Sequence, residues 1–125
     1  VRVPSTYESA RADIELRSPD AVTNPYLLFA ATLGAALNGI ADDEEPTPPL
    51  DELLVQYDDD ELNRLGVPRL PTTLGEAIDV FATDDVVRDA VGSYIADQLI
   101  HVKRAEWRAY QSHISPWEHL RYGDL

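Results

Sequence analysis

One segment, NPYLLFAATLGAALNGI at residues 24–40, constrains the fold more than any other. Asn24-Pro25 is a strong helix start: a side-chain cap, then a proline whose missing N–H costs nothing at the first helical position. The pattern predicts a helix running to about Asn38, with Gly39 as its stop. Ala30, Ala31, Gly34, Ala35 and Ala36 leave little side chain around it, so neighbouring backbones can come close. The helix is apolar on every face, which predicts a central, buried position and the least exposure of any element. On that reading Leu33→Asp would abolish folding, because it buries an unpaired charge.

Ahead of this helix lies RADIELR, residues 11–17, in which apolar and charged residues alternate. Ile14 and Leu16 then face one way, and Asp13, Glu15 and Arg17 the other, as a strand requires. Ser18-Pro19-Asp20 ends it. Two readings are open: a solvated edge strand, or a strand that turns its charges into a site with the helix behind it. Downstream, ADDEEPTPP at 41–49 is acidic and proline-rich, so it predicts an exposed loop. A short helix is expected over Asp59 to Leu65, stopped by Gly66. Thr73 with Glu76 reads as a capping box for a helix to about Phe81, and Asp84 opens another. Residues 93–112 form the longest helix, and Ser115-Pro116-Trp117-Glu118 caps a last short one.

The length, 125 residues, fits one ordinary domain able to bury a core. The chain lacks Met and opens on an extended-looking VRVPS, so it reads as a piece of a longer polypeptide. Ten Lys and Arg against 23 Asp and Glu give a net charge of −13, which excludes nucleic-acid and anionic-membrane partners. An acid excess of this size suits a cytoplasm rich in salt, where screening weakens self-repulsion, so a halophilic origin is one reading and an ordinary acidic protein the other. The longest apolar run is too short to span a bilayer and no signal peptide is visible. Absence of cysteine excludes disulfides and thiolate chemistry and leans towards the cytoplasm.

Glu15 and Arg17, on one strand face, lie roughly 6–7 Å apart. A carboxylate there can hold a hard cation, and a guanidinium a phosphate or carboxylate. Arg2 is expected from a neighbouring strand, making a place where metal and anion meet. The alternative is a solvated face of cross-strand pairs. His101, His113 and His119 form no ligand pattern. Lys103, Arg104 and Arg108 read as an ion-paired face of the long helix or a subunit contact.

Four separated blocks carry a resemblance: Arg2-Val3-Pro4, then IELRSPD with NPYLLFAA and LNGI, then LPTTLGEAIDVF, then KRAEWRAYQSHISPWEHLRY. In order and spacing they resemble the C-terminal part of the catalytic domain of glutamine synthetases and related γ-glutamylamine ligases. The resemblance covers essentially the whole chain, about the last quarter of such an enzyme. It implies a helix-rich α+β fold: edge strands near residues 1–17, orphaned from a larger sheet, then five or six helices. The implied activity is ATP-dependent formation of γ-glutamyl phosphate from glutamate, followed by displacement of phosphate by ammonia. A larger amine or polyamine as acceptor, and an inactive structural or regulatory homologue, are the alternatives.

Carried over by position, Glu15 would ligate a metal ion, Mg²⁺ or Mn²⁺, bound to ATP phosphates. Arg17 would contact the transferred phosphoryl group and the substrate carboxylate, and Arg2 the nucleotide phosphates. The family also implies a homo-oligomeric ring with active sites between subunits, so these residues alone are expected to be catalytically silent. Asp13 departs from the family pattern, which has arginine there. Tyr57 falls near a tyrosine that some bacterial members adenylylate, and it reads as structural.

Overall fold

All but one of the helices begin where a short side chain accepts from the first free N–H groups; the exception starts after Gly92, which has no side chain to do so. The computed structural model describes residues 1–2, 14–49 and 57–123, apart from the side chain of Asp59. Among these residues there are six helices: α1 (Pro25–Ala41), α2 (Asp59–Arg64), α3 (Leu74–Thr83), α4 (Asp85–Val91), α5 (Ser93–Gln111) and α6 (Pro116–Tyr122). Asn24 Oδ1 accepts from the N–H of Tyr26 at 3.0 Å and of Leu27 at 3.3 Å, with Pro25 in the first turn as expected. Asp58 with Glu61, and Ser115 with Glu118, form reciprocal capping boxes. Thr73 caps α3, but Glu76 reaches past it to the N–H and hydroxyl of Thr72, at 2.8 and 2.9 Å.

The predicted stop of α1 at Gly39 is too early. Gly39 continues the helix, which ends at Asp42, where the N–H donates back to Asn38 O at 2.9 Å. Asn38 donates its side-chain amide to Asp42 at 2.8 Å, and Asp43 takes the left-handed conformation, with φ 53°, that the reading had reserved for glycine. Gly66 and Gly92, with φ of 68° and 89°, do occupy such positions.

α1 packs along α4, α3 packs along α5, and α4 joins the two pairs. A Cβ built on Gly34 would overlap the side chain of Ala90, so the small residue at this position permits the close approach of α1 to α4. Gly75 plays the same part for α3, where a Cβ would stand 2.6 Å from Nε1 of Trp107 on α5. Among the described residues the buried apolar ones are Leu62, Ile78, Val91 and Ala96, the last with no exposed surface.

Three expectations about burial are corrected. α1 is not the least exposed element: it has no buried residue, and Leu33 is 62% exposed. Tyr26, Phe29, Leu33, Leu37 and Ile40 recur at helical spacing and form one bare stripe. α4 covers only the opposite side, and an all-round apolar helix needs neighbours on all sides. Ile14 and Leu16, expected to anchor their strand, are 71% and 39% exposed. Nor do the described residues bury the core of an ordinary domain: Leu62, Ile78, Val91 and Ala96 are the buried apolar residues among them.

Of the expected edge strands near residues 1–17, the described residues contain one antiparallel bridge, Arg2 with Glu15, and residues 3–13 lie outside them. No described helix is long and apolar enough to cross a membrane.

Candidate functional site

The bridge is built first from backbone. Arg2 N–H donates to Glu15 O at 2.9 Å, and Glu15 N–H donates to Arg2 O at 2.8 Å. Directly opposed residues of an antiparallel pair place their side chains on the same face. The Arg2 guanidinium accordingly reaches Glu15 Oε2 at 3.0 Å. Arg17, two residues beyond Glu15 and therefore on that face too, brings its Nε to 3.5 Å from the other oxygen, Oε1. One carboxylate thus sits between two guanidiniums, one at each oxygen. The three predicted site residues converge.

Charge distinguishes this cluster from its surroundings. Two arginines and one glutamate leave it with one positive charge, in a chain whose total is −13. The side chains of Arg2, Glu15 and Arg17 are 61%, 43% and 69% exposed, so ligands can reach them and the ion pairs are individually weak.

A locked turn joins this strip to α1. Val22 N–H donates to Asp20 Oδ1 at 2.7 Å, Thr23 N–H to Asp20 O at 3.1 Å, and Asp20 N–H to Thr23 Oγ1 at 3.2 Å. The next residue is Asn24, the cap of α1. The sequence reading saw Ser18-Pro19-Asp20 as a strand stop but missed this turn. Asp20 and Thr23, both turn-forming residue types three apart, were the available signal.

As one ligand, Glu15 fits a hard divalent cation: it is an accessible carboxylate beside groups suited to phosphate. Among the described residues no group of three His, Asp or Glu converges, so further ligands are not supplied by them. Asp13, and Arg11 beside it in the same segment, lie outside the described residues.

The basic patch on α5 is ion-paired as expected in two of its three members. Lys103 meets Glu106 at 2.6 Å, and Arg104 meets Asp79 of α3 at 3.4 Å. Tyr57 is half-buried and lines a shallow groove with Glu61, Arg64 and Leu65. A wider groove of about 330 Å³ lies between the start of α3 and Trp107 and Tyr110, whose rings stack at 5.4 Å. Neither groove includes a member of the Arg2–Glu15–Arg17 cluster.

Residues 1–122 match the family model described as glutamine synthetase, catalytic domain. The chain belongs to the glutamine synthetase family. It is 36% identical to the glutamine synthetase of Halobacterium salinarum over 122 residues, covering 98% of this chain and 27% of that protein. The Archaeoglobus fulgidus glutamine synthetase is 39% identical, over 100% of this chain and 26% of its own length. The glutamate–methylamine ligase of Methyloversatilis universalis is 36% identical, over 84% and 24%. Among solved structures, one titled apo GmaS without ligand superposes with a TM-score of 0.71 at 32% identity, covering 88% of this chain and 25% of that one. The chain therefore spans about a quarter of the length of these glutamine synthetase relatives. The described residues are helix-rich with almost no strand, and the fold matches a C-terminal fragment of that family's catalytic domain.

Proposed function

We propose that these residues are the C-terminal part of a glutamine synthetase catalytic domain, acting within an ATP- and Mg²⁺-dependent ligase that amidates glutamate. The observation that carries the reading is the convergence of Arg2, Glu15 and Arg17 on one face. In the proposed reaction the glutamate γ-carboxylate attacks the γ-phosphorus of ATP and ADP leaves. An amine then attacks the acyl carbon, and phosphate leaves. The first step brings a carboxylate towards a polyanion, so its barrier falls only where positive charge is already in place. Arg2 and Arg17 supply such charge without reorganisation, Arg2 towards the nucleotide phosphates and Arg17 towards the transferred phosphoryl group. Glu15 would hold the metal, Mg²⁺ or Mn²⁺, whose contribution when bound is to neutralise phosphate charge.

Ammonia as the amine is supported by the relatives named glutamine synthetase. Methylamine is the second reading, supported by the similarity to a glutamate–methylamine ligase and to the GmaS structure. A ring of identical subunits and a cytoplasmic location follow the family. Halophilic character is supported by the charge of −13 and by the run Asp42 to Glu45 at the C-terminal end of α1, where acids oppose the helix dipole unless salt screens them. The melting temperature should rise as KCl is added towards the molar range, and a steady fall would remove that part of the reading.

The test of the ligase is phosphate release dependent on ATP and glutamate, by the polypeptide that carries these residues, with ammonium and then methylamine. Glu15→Gln keeps the size and removes the charge, so turnover should drop by 10²-fold or more, on the order of losing one preorganised electrostatic contact. Arg17→Lys keeps the charge but loses the two-pronged geometry, and should lower turnover more than ATP affinity. If both variants keep most of the wild-type rate, the cluster is only a solvated ion-paired face.

A further inference from the structure

In this structure both arginines are engaged with the carboxylate itself: Arg2 at Oε2, 3.0 Å, and Arg17 near Oε1, 3.5 Å. A divalent cation binds carboxylate oxygen at about 2.0–2.6 Å, in competition with the guanidiniums for the same oxygens. The exchange is feasible because the pairs are exposed and weak, and because the backbone bridge holds Arg2 and Glu15 in register whichever way their side chains turn. We propose that Arg2 and Arg17 form a counter-ion latch on Glu15, through which cation and anion binding are coupled. A cation at Glu15 releases the two guanidiniums, and their forks become free for phosphate oxygens. By reciprocity, an anion that takes the guanidiniums uncovers the carboxylate and tightens the cation by the same factor. The latch rests on the metal assignment proposed above and adds an order and a cooperativity to it.

The latch makes an unusual prediction about sign. Removing an arginine should strengthen cation binding and at the same time weaken its coupling to anion. An arginine with a purely structural role would, when removed, loosen the bridge and weaken both. General field effects would tighten the cation but leave the coupling intact, since the anion would still attract the cation directly.

The experiment is Mn²⁺ titration by electron paramagnetic resonance on the full polypeptide that carries these residues, with and without inorganic phosphate. The relevant site is the one that Glu15→Gln removes. Arg2→Ala and Arg17→Ala should each bind Mn²⁺ there about 2- to 5-fold more tightly, the range expected for an exposed ion pair. Phosphate should tighten Mn²⁺ in the wild type by a similar factor, and by less in either variant. Arg2→Gln, which keeps the stem beside the bridge, guards against loss of local structure and should behave as Arg2→Ala does. Unchanged or weaker Mn²⁺ affinity in the arginine variants, or undiminished coupling, would overturn the latch while leaving the metal assignment standing. If Glu15→Gln removes no Mn²⁺ site, the metal assignment fails and the latch with it.

Discussion

The α3–α5 pair and the strip from Glu15 to α1 differ in where their stability comes from. α3 has an amphipathic face, and it meets α5 through Ile78, 5% exposed, with Trp107 lying against Gly75. Arg104 reaches across to Asp79, although Val80, Ile95, Val102 and Tyr110 stay exposed. α1 has strong end signals and abundant apolar surface, yet its stripe of Tyr26, Phe29, Leu33, Leu37 and Ile40 is bare, as are Ile14 and much of Leu16. The same contrast holds for function. The site strip presents its charges on a bridge with no further strand beside it among the described residues, whereas the α3–α5 pair contributes none of the three site residues. Among the described residues, the surface that carries the site is left largely uncovered by its own neighbours.

Substitution in the packed pair should show the larger effect. Ile78→Ala empties a buried position between α3 and α5 and should cost about 2–5 kcal/mol, read from denaturant unfolding. A loss below about 0.5 kcal/mol would mean that the pair is no better packed than α1.

Acid should separate the capped helices next. Glu76 titrates below its ordinary value near 4.5, chiefly because the backbone N–H of Thr72 donates to its carboxylate, with the Thr72 hydroxyl adding to this. Glu118 is lowered in the same way by the backbone N–H and hydroxyl of Ser115. A carboxylate whose folded-state value is depressed contributes stability above its unfolded value, and that contribution is lost as pH falls through the folded value. The caps of α3 and α6 should therefore weaken below about pH 4.5, while α1, capped by neutral Asn24, has no such dependence at its start. Comparing wild type with the double variant Glu76→Gln, Glu118→Gln in thermal melts from neutral pH downwards checks this. The wild type should be the more stable at neutral pH, and the gap should close in acid. A gap that widens in acid would reverse the sign of the argument.

The smallest effect belongs to the bare stripe. Leu33→Asp, which a buried helix would not survive, should change the stability of the 125-residue chain by no more than about 0.5 kcal/mol, because the new charge stays in water. Loss of folding would show that the stripe is covered in solution, for instance by a second copy, and would erase the contrast between the two regions.

Local chemistry was legible in the sequence wherever cause and effect lie within a few residues. Asn24-Pro25, Thr73 with Glu76, Asp84, and Ser115 with Glu118 each announced a helix start that the structure contains, because a cap links groups no more than about one turn apart. The alternation of Ile14, Glu15, Leu16 and Arg17 placed the two charges on one face, since strand geometry fixes that by itself. The family, too, was legible, from four blocks in order. What the tertiary structure decided depends on partners distant in sequence. Asp42 and Asp43, rather than Gly39, end α1, because their bonds return to Asn38 and Ile40 and outweigh the glycine's freedom. Arg2 lies opposite Glu15 because register pairs residues thirteen apart, which no local rule sets. The exposure of α1 was the largest misreading, and its cause is general. Apolar composition states how much surface a helix needs to cover, but only the arrangement of neighbouring elements determines how much of it is covered.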